Sequence, residues 1–259
     1  MKARDVRDHI LRRACWVDPQ NTVDTFKHGD PDVEVRAIAT TWMLTMKGID
    51  EAERLGVNLV VTHEPTFFDH FDALTDVRND PTYRAKRRRL DRAGLTVLRI
   101  HDAWDTWPDI GIGDSLARTL GLRVVAQADS LLKVAATAKP VRLGTFATFV
   151  RKRLGMDGVG LMGDPSATVR RVALSFGALG GLDAMRKFLA LKPDVLLAGE
   201  LTNWREIRYL ADADCPVILA DHATTEEPGM RALATYLNET FRVPACFIPV
   251  GSCLRTWTK

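Results

Sequence analysis

A strand–helix–strand pattern at residues 35–62 limits this chain to architectures in which helices pack on a parallel sheet. Val35–Thr41 is rich in β-branched residues, and Met43–Leu55 carries apolar residues at helical spacing. Gly56 stands where a helix C-cap glycine belongs, and Asn58–Thr62 is a second strand. A β-α-β unit of this kind favours a right-handed crossover and a parallel pair of strands.

The same alternation of strands and helices continues to the end of the chain. Further helices are predicted at Pro81–Ala93, Asp114–Leu120, Thr145–Leu154, Leu182–Leu191, Trp204–Ala213 and about Glu227–Phe241. Further strands are predicted at Leu95–Ile100, Arg123–Ala126, Leu131–Ala138, Val169–Phe176, Asp194–Ala198, Pro216–Ala220 and Ala245–Pro249. We therefore predict an α/β fold of two similar domains with mixed or mostly parallel sheets, about residues 1–138 and 139–259, between which the terminal segments can cross over.

Composition narrows the classes of partner and the kind of metal ligand. The 259 residues carry a net charge of +3, from 36 basic and 33 acidic side chains, which is too balanced to indicate nucleic acid or an anionic membrane as a partner. No stretch approaches the ~20 apolar residues of a membrane span, and the N-terminus lacks the apolar core of a signal peptide. The four cysteines show no C-x-x-C spacing, which predicts a cytoplasmic protein with reduced thiols and metal ligands limited to nitrogen and oxygen.

The strand Asn58–Thr62 runs directly into two side chains of the metal-ligand type, His63 and Glu64. Pro65 holds Glu64 in an extended conformation and prevents a helix from starting there. Ligand side chains at the carboxyl end of a buried strand point into the cleft beyond that edge. Taken alone, the pair fits a polar surface turn equally well, so its interpretation depends on partners elsewhere in the chain.

Two more predicted strands end in the same chemistry. His101 is followed by Asp105 and His222 by Glu226, and in both cases four residues separate the pair, which allows both side chains to face one point. Three imidazoles and three carboxylates are a suitable set for two divalent ions about 3.5–4 Å apart. Without a thiolate, Mn²⁺, Fe²⁺ and Zn²⁺ are the candidates. The other histidines, His9, His28 and His70, are interpreted as structural or surface residues.

Two further segments allow more than one interpretation. The Gly177–Gly181 turn between a strand and a helix is typical either of an anion cradle or of close strand–helix packing, although it lacks the P-loop lysine. The arginine-rich helix between Arg84 and Arg92 fits a solvated face better than a phosphate-binding or nucleic-acid-binding surface, because the whole chain is nearly neutral.

Several segments together resemble the NIF-three-like dinuclear metal-centre hexameric proteins, some of which are called GTP cyclohydrolase I type 2. The resemblance covers nearly the whole chain and rests on LVVTHEPTFF at 59–68, IHDAWD at 100–105, GDSLARTLGL at 113–122, LLAGEL at 196–201 and ADHATTEEPG at 220–229. It implies two α/β domains with a dinuclear metal site in the cleft between them, and a toroidal homohexamer. The metal-binding residues that it implies are His63, Glu64, His101, Asp105, His222 and Glu226.

The sequence departs from the family pattern at two places. The family usually has a second histidine at the position of Glu64, and a carboxylate there is a harder ligand that favours Mn²⁺ or Fe²⁺. Members often carry a histidine where this chain has Asn203 and Trp204. Glu200 is retained after its strand and is a candidate partner of a metal ligand or a catalytic base. It also fits the simpler role of an acidic residue at a helix N-terminus.

These observations predict a metal-dependent hydrolase that uses a metal-activated water, and the resemblance implies a nucleotide-like or heterocyclic small-molecule substrate. The resemblance extends this to GTP ring opening and the hydrolysis of cyclic C–N bonds. A non-enzymatic metal-binding oligomeric scaffold or regulatory protein is the alternative. A ring protein that associates with nucleic acid is a third interpretation, which the charge balance opposes.

Overall fold

The computed structural model describes residues 1–71 and 73–254, and the chain forms two compact units. The first unit comprises Met1–Trp107 and Met230–Val250. The second comprises Pro108–Gly229 and the described residues from Gly251 to Leu254. Within the described ranges, no helix is both long and apolar enough to cross a membrane.

From residue 38 to residue 99 the elements of the first part of the chain alternate as the sequence predicts, and the structure adds elements at Ala3–Arg13, Phe26–His28 and Asp102–Asp105. The elements of this part are α1 (Ala3–Arg13), β1 (Phe26–His28), β2 (Ile38–Thr41), α2 (Met46–Arg54), β3 (Leu59–Thr62), α3 (Pro81–Ala93), β4 (Thr96–Arg99), α4 (Asp102–Asp105) and α5 (Ile112–Thr119).

The second part of the chain continues with β5 (Arg123–Gln127), β6 (Lys133–Arg142), α6 (Leu143–Arg153), β7 (Gly160–Met162), β8 (Thr168–Ser175), α7 (Leu182–Ala190) and β9 (Val195–Ala198). A π-helix at Asn203–Ile207 leads into α8 (Arg208–Asp212), and β10 (Val217–Leu219), α9 (His222–Phe241) and β11 (Ala245–Phe247) follow.

The first unit contains a five-stranded sheet in the order β1-β4-β3-β2-β11. All its strand pairs are parallel except β1–β4. The predicted β-α-β unit is confirmed, because β2 and β3 pair in parallel with Ile38 opposite Leu59 and α2 connects them. Every residue of β2, β3 and β4 is buried, as expected for parallel strands covered on both faces.

The second unit contains a six-stranded sheet in the order β5-β6-β8-β9-β10-β7. Its central strands β8, β9 and β10 are parallel, and the remaining pairs are antiparallel. The α/β class with mixed sheets is therefore confirmed. A core of buried apolar side chains, including Val134, Phe188 and Leu196, packs within this unit.

The bounds of the compact units differ from the predicted division at residues 138 and 139. The cause lies in strand pairing, because β5 pairs with β6 and β6 pairs with β8 in the second sheet. At the other end, β11 pairs with β2, which returns residues 230–250 to the first unit.

Local signals locate some helices well and others poorly. Helix α3 has the predicted bounds, because Asp80 accepts hydrogen bonds from its first turn and Gly94 adopts a left-handed conformation after it (φ 61°). The predicted start of α9 at about Glu227 is wrong, since the helix begins at His222 and contains Pro228 in its interior. The predicted helix Trp204–Ala213 is instead a π-helix followed by the short α8.

Candidate functional site

Four of the predicted ligand residues lie together in the first unit, and we call them cluster 1: His63, Glu64, His101 and Asp105. His63 and Glu64 follow β3, and His101 follows β4, its parallel neighbour, so they emerge at the same edge of the sheet. The His63 and His101 rings are stacked, with centroids 4.4 Å apart. Asp105 ends α4, and its Oδ1 lies 3.3 Å from His63 Nε2.

Both imidazoles of cluster 1 have an oxygen atom at Nδ1 and a carboxylate near Nε2. His63 Nδ1 lies 3.3 Å from the Ile100 carbonyl oxygen, and His101 Nδ1 lies 3.1 Å from Asp102 Oδ1. A carbonyl oxygen only accepts, so His63 Nδ1 donates, and in the neutral imidazole Nε2 then presents a lone pair. The distance from His101 Nε2 to Glu64 Oε1 is 3.8 Å.

Two further aspartates, Asp24 and Asp102, hold the segment that carries His101. The fully buried Asp24 carboxylate accepts hydrogen bonds from the backbone N–H groups of His101, Asp102 and Ala103. Burial raises the pKa of Asp24 from its ordinary value, although these N–H groups oppose the change. Asp24 thereby fixes the start of α4, the helix that places Asp105.

Asp102 is an ionised acceptor for the His101 ring. Burial alone would raise the pKa of Asp102, but hydrogen bonds from His101 and from Thr22 Oγ1 hold the pKa well below its ordinary value. An ionised carboxylate at Nδ1 fixes the ring orientation of a metal-binding histidine and strengthens its basicity. Asp24 carries no local sequence signal for its role, because it lies 77 residues from His101.

The Glu64 carboxylate lies between His101 and a buried arginine, Arg99. Glu64 Oε2 is 3.8 Å from Arg99 Nη2, and the Arg99 side chain is completely buried. Arg99 Nε donates to the carbonyl oxygen of His63 at 2.9 Å, and Arg99 Nη1 donates to the carbonyl oxygen of His70. Arg99, the last residue of β4, therefore connects the strand to the segment that carries the first two ligands.

His70 is an exposed residue that lies beside cluster 1. Its ring centroid is 5.2 Å from that of His101, in a T-shaped arrangement. Burial lowers the pKa of His70, and the nearby Arg99 guanidinium lowers it further. A cavity of about 580 Å³ next to these residues is lined in part by Thr22, Lys27, Phe67, His70, Phe71 and Asp102.

The second unit holds the other predicted pair, His222 and Glu226, which we call cluster 2. Both lie in the first turns of α9, so their spacing of four residues places them on one helix face, with His222 Nε2 3.3 Å from Glu226 Oε2. His222 Nδ1 lies 3.0 Å from Oε2 of Glu200, which follows β9. Glu200 therefore contacts a candidate metal ligand, as its predicted role as the partner of a metal ligand requires.

The glycine turn after β8 packs directly against cluster 2. Gly177 has a φ of 55°, and a Cβ there would overlap the Glu226 carboxylate and lie 2.9 Å from His222 Nε2. Its N–H donates to Thr225 Oγ1. The N–H of Gly181 donates to Glu206, whose pKa falls to about 2, because hydrogen bonds from Arg205 and backbone N–H groups outweigh burial. Because the N–H groups of Gly177 and Gly181 already donate to acceptors within the chain, this turn fits close strand–helix packing better than it fits the binding of an external anion.

The donor set of cluster 1 fits a divalent metal ion. One ligand atom from each of His63, Glu64 and His101 lies within 4.8 Å of the others. Asp105 Oδ1 is buried and accepts no hydrogen bond from the described residues, while His63 Nε2 lies close to it. A buried carboxylate oxygen facing an imidazole nitrogen is the arrangement that a cation between them would satisfy.

Comparison with known proteins assigns the chain to a family. The sequence model of the family described as Duf34/NIF3 (NGG1p interacting factor 3) matches residues 10–252. The chain belongs to the DUF34/NIF3 family. The resemblance drawn from the sequence motifs is thereby confirmed.

Curated relatives in this family carry one recurring name. The chain is 27% identical over 224 residues to "GTP cyclohydrolase 1 type 2 homolog" of Pseudomonas aeruginosa, covering 83% of this chain and 84% of that protein. It is 29% identical over 224 residues to the protein of the same name from Streptomyces coelicolor, covering 82% of this chain and 76% of the relative.

Solved structures share the fold of this DUF34/NIF3 chain at low sequence identity. The protein ybgI, described as of unknown function, superposes with a TM-score of 0.81 and 22% identity, covering 98% of this chain and 100% of that chain. HcgD from Methanocaldococcus jannaschii gives a TM-score of 0.73 and 21% identity, covering 95% and 97%. At these identities the likeness establishes the fold alone.

Proposed function

We propose that this DUF34/NIF3 protein is a metal-dependent hydrolase, and that clusters 1 and 2 supply the ligands for two divalent metal ions per chain. One observation supports this most strongly. Each of the three imidazoles has an oxygen atom at Nδ1, from Ile100, Asp102 or Glu200, and a carboxylate close to Nε2. Metal-binding histidines characteristically have such partners on the nitrogen that does not bind the metal.

The residues of the chain orient and hold the ligand atoms in this proposal. Asp102 and the Ile100 carbonyl fix the two rings of cluster 1, and Asp24 fixes the helix that carries Asp105. Glu200 orients His222, and it is 65% exposed, so it also remains accessible to a substrate as a candidate base. Divalent ions at these positions would supply a water of lowered pKa and a Lewis acid.

The proposed substrate is a nucleotide or another nitrogen heterocycle, and the proposed reaction is hydrolysis of a cyclic C–N bond. The name that several relatives share, GTP cyclohydrolase 1 type 2 homolog, supports this class. The resemblance to a hexameric family supports a homohexamer as the assembly.

Metal depletion and restoration test the proposal. Protein treated with a chelator, then supplied with Mn²⁺, Fe²⁺ or Zn²⁺, would be assayed for hydrolysis of GTP and of a panel of cyclic amides. We expect turnover to vanish on depletion, return with metal, and be lost in Asp105→Ala. Asp91→Ala removes an exposed carboxylate and is the matched control.

The non-enzymatic alternative has a different signature in the same experiment. A protein that retains metal but hydrolyses no substrate of the panel, and that Glu200→Gln leaves unchanged in every assay, would be a metal-binding scaffold. Turnover that survives complete metal depletion would contradict a metal-dependent mechanism.

A further inference from the structure

We propose that Glu64, positioned by the buried Arg99, shifts the metal preference of cluster 1 from Zn²⁺ toward Mn²⁺ and Fe²⁺. This inference rests on the proposed metal binding and adds to it the class of ion and the residues that select it. Three observations carry it: the direction of the two Glu64 oxygens, the burial of Arg99, and the chemistry of the donor set.

The two oxygens of Glu64 face different groups. Oε1 faces His101 Nε2, and Oε2 faces Arg99 Nη2, with a distance of 3.8 Å in each case. Both distances are too long for hydrogen bonds, so the contacts are electrostatic. The arrangement directs one oxygen toward the His101 ring of cluster 1 and the other toward the guanidinium.

Arg99 carries a charge that is costly to bury without a carboxylate nearby. Its side chain is completely buried, whereas that of Glu64 is 13% exposed. Arg99 also binds the carbonyl oxygens of His63 and His70, on either side of Glu64 in the sequence. The guanidinium therefore balances the negative charge that Glu64 brings to cluster 1 and limits where its carboxylate can lie.

With Glu64, cluster 1 offers two imidazole nitrogens and two carboxylates. Zn²⁺ binds most nitrogen and oxygen sites more tightly than Mn²⁺ or Fe²⁺, and its advantage is smaller where hard, charged oxygen ligands replace imidazole. A histidine at position 64 would give three imidazoles and one carboxylate, and it would remove the contact between the Glu64 carboxylate and Arg99. The measurable consequence is a change in the ratio of Zn²⁺ to Mn²⁺ affinity.

The test is a competition titration of the metal-depleted full-length protein with Mn²⁺ and Zn²⁺. We expect Glu64→His to raise the ratio of Zn²⁺ to Mn²⁺ affinity by about tenfold or more. Glu239→His, which places an imidazole at an exposed position of α9, is the matched control and should leave the ratio unchanged. A smaller increase, or a change in the opposite direction, would overturn the proposal.

Arg99 is tested as a positioning residue through the same ratio. Arg99→Gln should raise the ratio of Zn²⁺ to Mn²⁺ affinity, and Arg99→Lys, which keeps the charge, should restore much of the wild-type value. A merely structural role would weaken both metals equally, and that result would exclude Arg99 from metal selection. If Arg99→Gln does not fold, Arg99→Lys and Glu64→His decide the question.

The outcomes separate this inference from the function on which it rests. A wild-type protein that binds neither Mn²⁺ nor Zn²⁺ more tightly than His63→Ala would remove the proposed metal site itself. A wild-type protein that binds both ions, with a ratio that Glu64→His leaves unchanged, would overturn the selectivity and leave the metal site in place.

Discussion

Each candidate imidazole ligand is oriented by an oxygen atom on the far side of its ring. For His63 this atom is a main-chain carbonyl, whereas for His101 and His222 it belongs to a carboxylate. The carbonyl is fixed by the strand end, and the carboxylates depend on single side chains. Substitution of those side chains therefore separates ligand orientation from ligand identity.

We predict that Asp102→Asn weakens metal binding at cluster 1 about 10–100-fold, because the His101 ring loses an ionised acceptor. Calorimetric titration of the metal-depleted protein with Mn²⁺ measures the change. The control is Asp183→Asn, at a side chain that is 78% exposed on α7. Equal affinities for Asp102→Asn and the wild type would show that Asp102 does not orient His101.

At the scale of single residues, sequence spacing identifies the candidate metal ligands, but it does not identify the residues that position those ligands. The separation of four residues in His101–Asp105 and His222–Glu226 is visible in the sequence and predicts a shared direction. The contact of Asp24 with the segment at His101 spans 77 residues, and no local pattern encodes it. In the sequence, Arg99 is one polar residue in an apolar strand. Its contacts with Glu64 and His63 depend on the folded structure.

Among the elements, the segment around the π-helix depends on one buried carboxylate. Glu206 accepts hydrogen bonds from the N–H groups of Gly181 and Thr202 and from Arg205. It thus joins the turn before α7 to the segment that follows Glu200. Its folded-state pKa of about 2 lies below its ordinary value of 4.5, so the unfolded chain binds the proton more readily.

We predict that Glu206→Gln lowers the free energy of unfolding by about 1–3 kcal/mol above pH 5. The stability contributed by the ionised Glu206 is complete above pH 4.5 and is lost as the pH falls toward 2. The difference between wild type and Glu206→Gln should therefore shrink over that range. Urea unfolding at a series of pH values measures it, with Glu239→Gln as an exposed control. A difference independent of pH would contradict this role.

The helices that the sequence locates well are those with their own end signals. Asp80 and Gly94 define α3, whereas the predicted start of α9 lies near Glu227, next to Pro228. Pro228 instead lies inside the helix, which begins at His222. The interior proline forfeits one backbone hydrogen bond, and the packing of Gly177 against Glu226 and His222 shows how closely this first part of α9 is held.

For the whole molecule, the alternation of elements predicted the α/β class correctly, and long-range pairing determined the bounds of the units. Strand β11 pairs with β2 from the opposite end of the chain, a contact that periodicity cannot reveal. Each unit carries one candidate ligand cluster, with His63, Glu64, His101 and Asp105 in the first and His222 and Glu226 in the second. The homohexamer and a common cleft for both clusters stay predictions from the resemblance.

The metal content of the purified protein tests this interpretation most directly. We predict that elemental analysis with native mass spectrometry, on protein never exposed to a chelator, finds about two divalent ions per chain. The variants His63→Ala and His222→Ala should each retain fewer ions, while His28→Ala, outside both clusters, should match the wild type. Wild-type protein without bound divalent metal, or variants with the full complement, would contradict the assignment of these clusters as the metal site.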